Sequence, residues 1–170
     1  MRLMSDLLAE VKARHFPRAP ASADAIARLE QRVGGRVPLD LREFWLEVGP
    51  ARLFSDDDPA YWFVAPDDVR WVALEMSSVP EELSIPKSWL SICDVQDGNF
   101  VAMDLPAKPS GEVWFIDCFH ENVGEPGCNK IVALTFTEFL DRALARDRIH
   151  YWLAEGFRGY GDALERGRRP

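Results

Sequence analysis

The side chains best able to do chemistry in this 170-residue chain are three cysteines and three histidines, and their spacing limits what they could do. Cys118-x-His120, with Cys128 beyond it and Cys93 on a neighbouring strand, is the one arrangement that suggests a metal. Zinc needs about four N or S ligands in a tetrahedron, and paired C-x₂₋₄-C spacings supply them far more reliably than this. We therefore read buried thiols and a loop histidine, with no metal and no cofactor. His15 falls at a helix end, where a positive charge would suit the dipole, and His150 in a helix of mixed character. Neither has a neighbouring Ser or Cys nucleophile with an orienting carboxylate. No G-x-x-x-x-G-K-[ST] or G-x-G-x-x-G segment is present to cradle phosphate. No catalytic residue is assigned, although a hydrolase working through a pair of carboxylates stays open.

Charge is more informative. The net charge of −8 is unevenly placed. Residues 40–125 hold eighteen acidic side chains against five basic, whereas 1–39 hold seven basic against four acidic and 141–170 seven against five. A nucleic-acid binder needs clustered Lys and Arg to displace counterions, so that class is excluded. The acidic middle is compatible with a cationic partner and equally with a solvated surface that serves solubility. Asp56, Asp57, Asp58, Asp67, Asp68, Glu81 and Glu82 all fall in segments that read as loops, and Trp62 and Trp71 flank them. Rings as anchors and carboxylates as steering charges suit capture of a basic partner, and these nine residues are the expected contact surface. Reversing Asp56, Asp57 and Asp58 to lysine is expected to slow association and to leave the fold untouched.

The elements that must position these groups follow from periodicity. Leu3, Leu7, Leu8 and Val11 predict a first helix ending near His15. Ser22 caps a second, whose apolar face is Ile26, Leu29 and Val33 and whose end is Gly34-Gly35. Val37-Pro38 opens a third, closed by Gly49-Pro50. Residues 61–64 predict a strand, Pro66-Asp67-Asp68 a short helix or turn, and 77–88 an irregular stretch. Trp89 to Leu105 predicts a hairpin about Asp97-Gly98, whose second, wholly apolar run is covered on both faces. Strands follow over 112–118 and 130–134. Thr135-Phe136-Thr137-Glu138 has the form of a capping box, opening a helix expected to reach about Leu153. Helices, then strands, then a closing helix make an α+β fold: one mainly antiparallel sheet with N-terminal helices and a C-terminal helix packed on it. One domain over 1–156 and a flexible Arg/Gly-rich tail over 157–170 are expected. No apolar run approaches the roughly 18 residues of a membrane span, and unpaired thiols suit a cytoplasm.

Four of these stretches together resemble the SUKH superfamily, the SMI/KNR-type proteins. They are Ile26-x-x-Leu29-Glu30 with Gly34 and Val37-Pro38 through Phe44-Trp45, then the Asp97-Gly98 hairpin to Asp104-Leu105, then Gly111 to Trp114, then Thr135-Phe-Thr-Glu-Phe-Leu140. The resemblance spans about residues 22–145 and leaves the first helix and the tail outside. It implies a cytoplasmic, non-catalytic binding protein, similar in role to bacterial immunity proteins that neutralise toxins, many of them nucleases. Taken with the acidic middle of the chain, it makes a basic toxin domain the expected partner. A regulatory or scaffold role like that of the fungal relatives is the alternative.

Overall fold

A computed structural model of the chain describes residues 1–76, 85–105 and 113–167. The N-terminal half opens with three helices, α1 (Met4–Arg14), α2 (Ala23–Val33) and α3 (Leu39–Glu47). Strands β1 (Phe16–Pro17), β2 (Ala51–Leu53), β3 (Tyr61–Phe63) and β4 (Arg70–Trp71) are short, and α4 (Val72–Glu75) is a single turn. The hairpin β5 (Trp89–Asp94) and β6 (Phe100–Asp104) leads to β7 (Trp114–Cys118), β8 (Ile131–Ala133), α5 (Phe136–Leu144) and α6 (Ala163–Gly167). All eight strands join one antiparallel sheet in the order β1-β2-β3-β5-β6-β7-β8, with β4 also pairing β5. This is the expected α+β class. Among the described residues no helix is long and apolar enough to cross a membrane.

Local chemistry sets the boundaries. The Ser22 hydroxyl accepts the Ala25 N–H at 3.1 Å to start α2. Gly34 ends that helix in the left-handed region, where a Cβ would be strained. At the hairpin tip Asp97 and Gly98 both take positive φ, as the mirror-image turn requires. Thr135 Oγ1 accepts the Glu138 N–H at 3.0 Å, while the Glu138 carboxylate reaches back to the Leu134 N–H at 2.8 Å. The capping box thus closes one residue earlier than the standard form. Asp40, in the first turn of α3, accepts both the N–H and the hydroxyl of Thr137 and so ties two helix N-termini together.

The helices cover one face of the sheet. Leu7 and Val11 of α1, Ile26 and Leu29 of α2, Phe44 and Trp45 of α3, and Phe136, Phe139 and Leu140 of α5 meet Leu53, Tyr61, Phe63, Ile92, Val101 and Phe115. A second cluster fills part of the other face with Trp89, Phe100, Ala102, Ile116, Cys118, Ile131 and Leu164. β6 is therefore buried on both sides, as its apolar run implies.

Two expectations fail. α5 stops at Leu144 rather than near Leu153, because the chain turns through Asp147 at positive φ and re-enters the core by a separate short turn that buries Tyr151 and Trp152. The stretch after 156, expected to hang loosely, is packed as far as it is described. Phe157 lies on the main core, the backbones of Lys130 and Asp162 pair in an antiparallel β-bridge, Asp162 Oδ1 accepts the Leu164 N–H at 2.9 Å, and Ala163 and Leu164 are buried. These apolar side chains complete the second cluster, which outweighs the glycines around them.

Candidate functional site

Antiparallel register sends alternate side chains to opposite faces of the sheet. In β3, Tyr61 and Phe63 point into the core and Trp62 points out, 41% exposed. In β2, Ala51 and Leu53 are buried, and Arg52 stands between them beside Trp62. On the far side of Trp62 its cross-strand partner is Asp94, the last residue of β5. Arg52, Trp62 and Asp94 thus form one row across three strands. The Arg52 guanidinium covers the Trp62 ring at 4.6 Å.

This row floors a groove of about 590 Å³ whose other lining includes Val64, Asp68 and Arg70. A second hollow, shared through Trp62 and Asp94, carries Asp58, Gln96 and Asp97. Sequence reasoning thus placed Trp62, Asp58, Asp67 and Asp68 around one surface. It missed Arg52, Asp94 and Asp97. Asp94 closes an apolar strand just before a turn, and only the register of β3 against β5 brings it to Trp62. The alternation Ala51-Arg52-Leu53 was visible but is only three residues long.

The acids are not equivalent. Asp56 is held by Arg18 at 2.6 Å and by Arg52 at 3.4 Å. Asp58 is held by Arg148 at 2.6 Å and by the Gln96 amide at 3.0 Å. Asp67 is held by Arg28 at 2.7 Å, which keeps its carboxyl below the usual range. The basic ends of the chain therefore fold back onto the acidic middle. The expectation that reversing Asp56–Asp58 spares the fold has to be corrected, since two of the three are bonded to arginines. Asp57, Asp68, Asp94 and Asp97 have no ion-pair partner among the described residues. Asp94 is half-buried; burial raises its carboxyl pKa, and the charge of Arg70 opposes the shift. Arg70 itself is bonded to Glu75 at 2.9 Å.

Trp71 lies apart. Arg32 sits over its ring at 5.4 Å while bonding the Pro66 and Val69 carbonyls, and Trp71 lines a separate hollow with Gly35, Leu90 and Leu105. Glu81 and Glu82 lie outside the described residues.

The groups singled out for chemistry are otherwise engaged. His15 Nδ1 accepts the Phe54 N–H at 3.1 Å, and burial lowers its pKa, so the ring is neutral rather than the cation expected at a helix end. His150 donates from Nε2 to the Ala60 carbonyl at 3.1 Å and stacks on Trp152. His120 bonds Asn99 Oδ1 at 2.8 Å. The Cys93 and Cys118 thiols are fully buried and pushed up by desolvation. Among the described residues no three His, Cys, Asp or Glu side chains are grouped to hold a metal ion.

An antiparallel sheet covered by helices on one face, with a groove of interleaved arginines and aspartates about Trp62 on the other, defines a domain built around a surface rather than an enclosed cavity. The model of the SMI1 / KNR4 family (SUKH-1) matches residues 20–142, and the chain belongs to that family. The match takes in α2, α3 and every residue of the Arg52-Trp62-Asp94 row, and leaves out α1 and the segment beyond Leu144. The chain is also similar to the immunity protein YokJ of Bacillus subtilis (strain 168), at 26% identity over 131 residues, which cover 76% of this chain and 78% of that protein.

Proposed function

We propose that this protein is a non-catalytic binding module of the cytoplasm that neutralises a protein toxin by occupying it, with the groove around Trp62 as the contact surface. The observation that carries the reading is the similarity to an immunity protein across about three-quarters of both chains. The engaged histidines and the buried Cys93 and Cys118 thiols support a role without catalysis, because none of these groups is poised as nucleophile or general base. A part-exposed tryptophan beside Asp68, Asp94 and Asp97, which have no ion pair among the described residues, is a composition that can anchor and steer a basic protein partner.

The test is co-expression. A toxin encoded beside this gene should stop growth when produced alone, and growth should return when this protein is produced with it. The two should also co-purify as a complex. Growth that stays arrested, with no complex by size exclusion, would refute the immunity reading.

A further inference from the structure

The groove is asymmetric in charge compensation. Arg52 is engaged by the Trp62 ring and by the Asp56 carbonyl at 2.6 Å, and Arg70 by Glu75. Arg18, which also lines the groove, is bonded to Asp56, and Arg28, outside the lining, is bonded to Asp67. Each of these four arginines already has a bonded partner, whereas Asp68 and Asp94 have no ion pair among the described residues, and only the charge of Arg70, itself bonded to Glu75, acts on Asp94. Asp94 is also the more deeply set of the two. A carboxylate in that position gains most from a cation that reaches it, because the surroundings screen the pair less than water does. Neighbouring strands lie about 4.8 Å apart, so the backbone fixes the ring beside the carboxylate before any partner arrives.

The geometry points to a cleft that receives one arginine side chain of a partner protein, its guanidinium on Asp94 and its stem along Trp62, with Asp68 adding charge from the same groove. Arginine suits the site better than lysine: its planar fork can bond a carboxylate at two points and lie against an aromatic edge, and it is more weakly hydrated. A neutral or acidic ligand would leave Asp94 desolvated with only the unbonded charge of Arg70 to offset it. This inference rests on the protein-binding reading above and narrows it to one anchoring contact. The ion-paired Asp56, Asp58 and Asp67 become rim residues of small energetic weight.

The test uses the full chain, ¹⁵N-labelled, titrated with acetyl-Gly-Arg-Gly-amide and with the matching Lys and Glu peptides. The Trp62 indole N–H, assigned by its loss in Trp62→Phe, should shift saturably with the arginine peptide, less with lysine and not with glutamate. Asp94→Asn should weaken arginine binding by roughly tenfold. Asp68→Asn, an exposed change with no bearing on folding, should weaken it by a smaller factor. Asp6→Asn on α1 should leave it unchanged. No saturable shift with arginine, an equal response to glutamate, or titrations unaltered in both Asp94→Asn and Asp68→Asn would overturn the inference. Peptide binding as described, alongside failed growth rescue by the wild type, would sustain the cleft and remove the immunity reading.

Discussion

Glu138 offers the sharpest test of how the helical layer is held to the sheet. One turn into α5, its carboxylate accepts the Leu134 N–H at 2.8 Å, pairs with Arg142 at 2.7 Å and accepts the Tyr160 hydroxyl at 2.5 Å. The side chain is only 15% exposed, so these bonds face little competition from water. Glu138→Ala removes all three. A backbone N–H left without its acceptor costs about 1 kcal/mol, the half-buried pair with Arg142 about the same, and the phenol bond somewhat less, for a total of about 2–3 kcal/mol. Arg142 keeps its bond to the Val132 carbonyl and stays in place, which limits the loss to that range. At this chain length the melting temperature should fall by roughly 4–12 °C. Thr135→Ala removes only the cap and should cost about 1 kcal/mol. Urea denaturation of both variants and of the double mutant gives the comparison, and the two sites should couple because they share one turn. A Glu138→Ala midpoint equal to or above that of Thr135→Ala would show that the carboxylate holds nothing beyond solvent contacts.

Three further outcomes follow from the charges. Reversing Asp56, Asp57 and Asp58 to lysine sets cations against Arg18, Arg52 and Arg148. Stability should fall by about 1 kcal/mol, the scale of exposed ion pairs, and the gap to wild type should close in high salt. Equal midpoints at low salt would contradict the ion pairs. Asp117, on β7, is raised by burial to about 6 against the pull of Lys130. Its contribution to stability is therefore full below the unfolded value near 4 and lost as pH rises through about 6, so Asp117→Asn should be the more stable protein at pH 7, and the advantage should vanish below about pH 4. His15 runs the other way. Its lowered pKa places full stability above roughly 6.5 and loss as pH falls through the folded value, because protonating Nδ1 breaks its bond to Phe54. Denaturation of His15→Asn across pH 5–8 should show a flatter profile than wild type.

Features set by a few adjacent residues were legible in the sequence. The Ser22 and Thr135 caps, the Gly34 stop and the Asp97-Gly98 turn each depend on side-chain chemistry within four positions. The early end of α5 was hidden because Ile149, Trp152 and Leu153 continue a helical spacing that the chain abandons at Asp147. β1, β2 and β4 are two or three residues long, below any readable period. Trp62 and Trp71 look alike along the chain, and only strand register turns one outward while the other packs partly against the core. The compensation of Asp56 by Arg18, and of Asp58 by Arg148, joins residues 38 and 90 positions apart. No local pattern reports that, which is why the acidic middle looked barer in the sequence than it is in the fold.

The Arg52-Trp62-Asp94 row has a consequence for how such a protein can change over time. Arg52 and Trp62 sit between core residues in their strands and Asp94 follows one at the end of its own, so the same backbone hydrogen bonds hold the row whatever its side chains are. Substituting an outward residue leaves Tyr61, Phe63, Ala51 and Leu53 packed as before. Stability is vested in one set of alternate positions and, on the binding reading proposed above, partner choice in the other. On that reading a lineage whose partner shifts can rewrite its contact surface one rung at a time, without passing through unfolded intermediates.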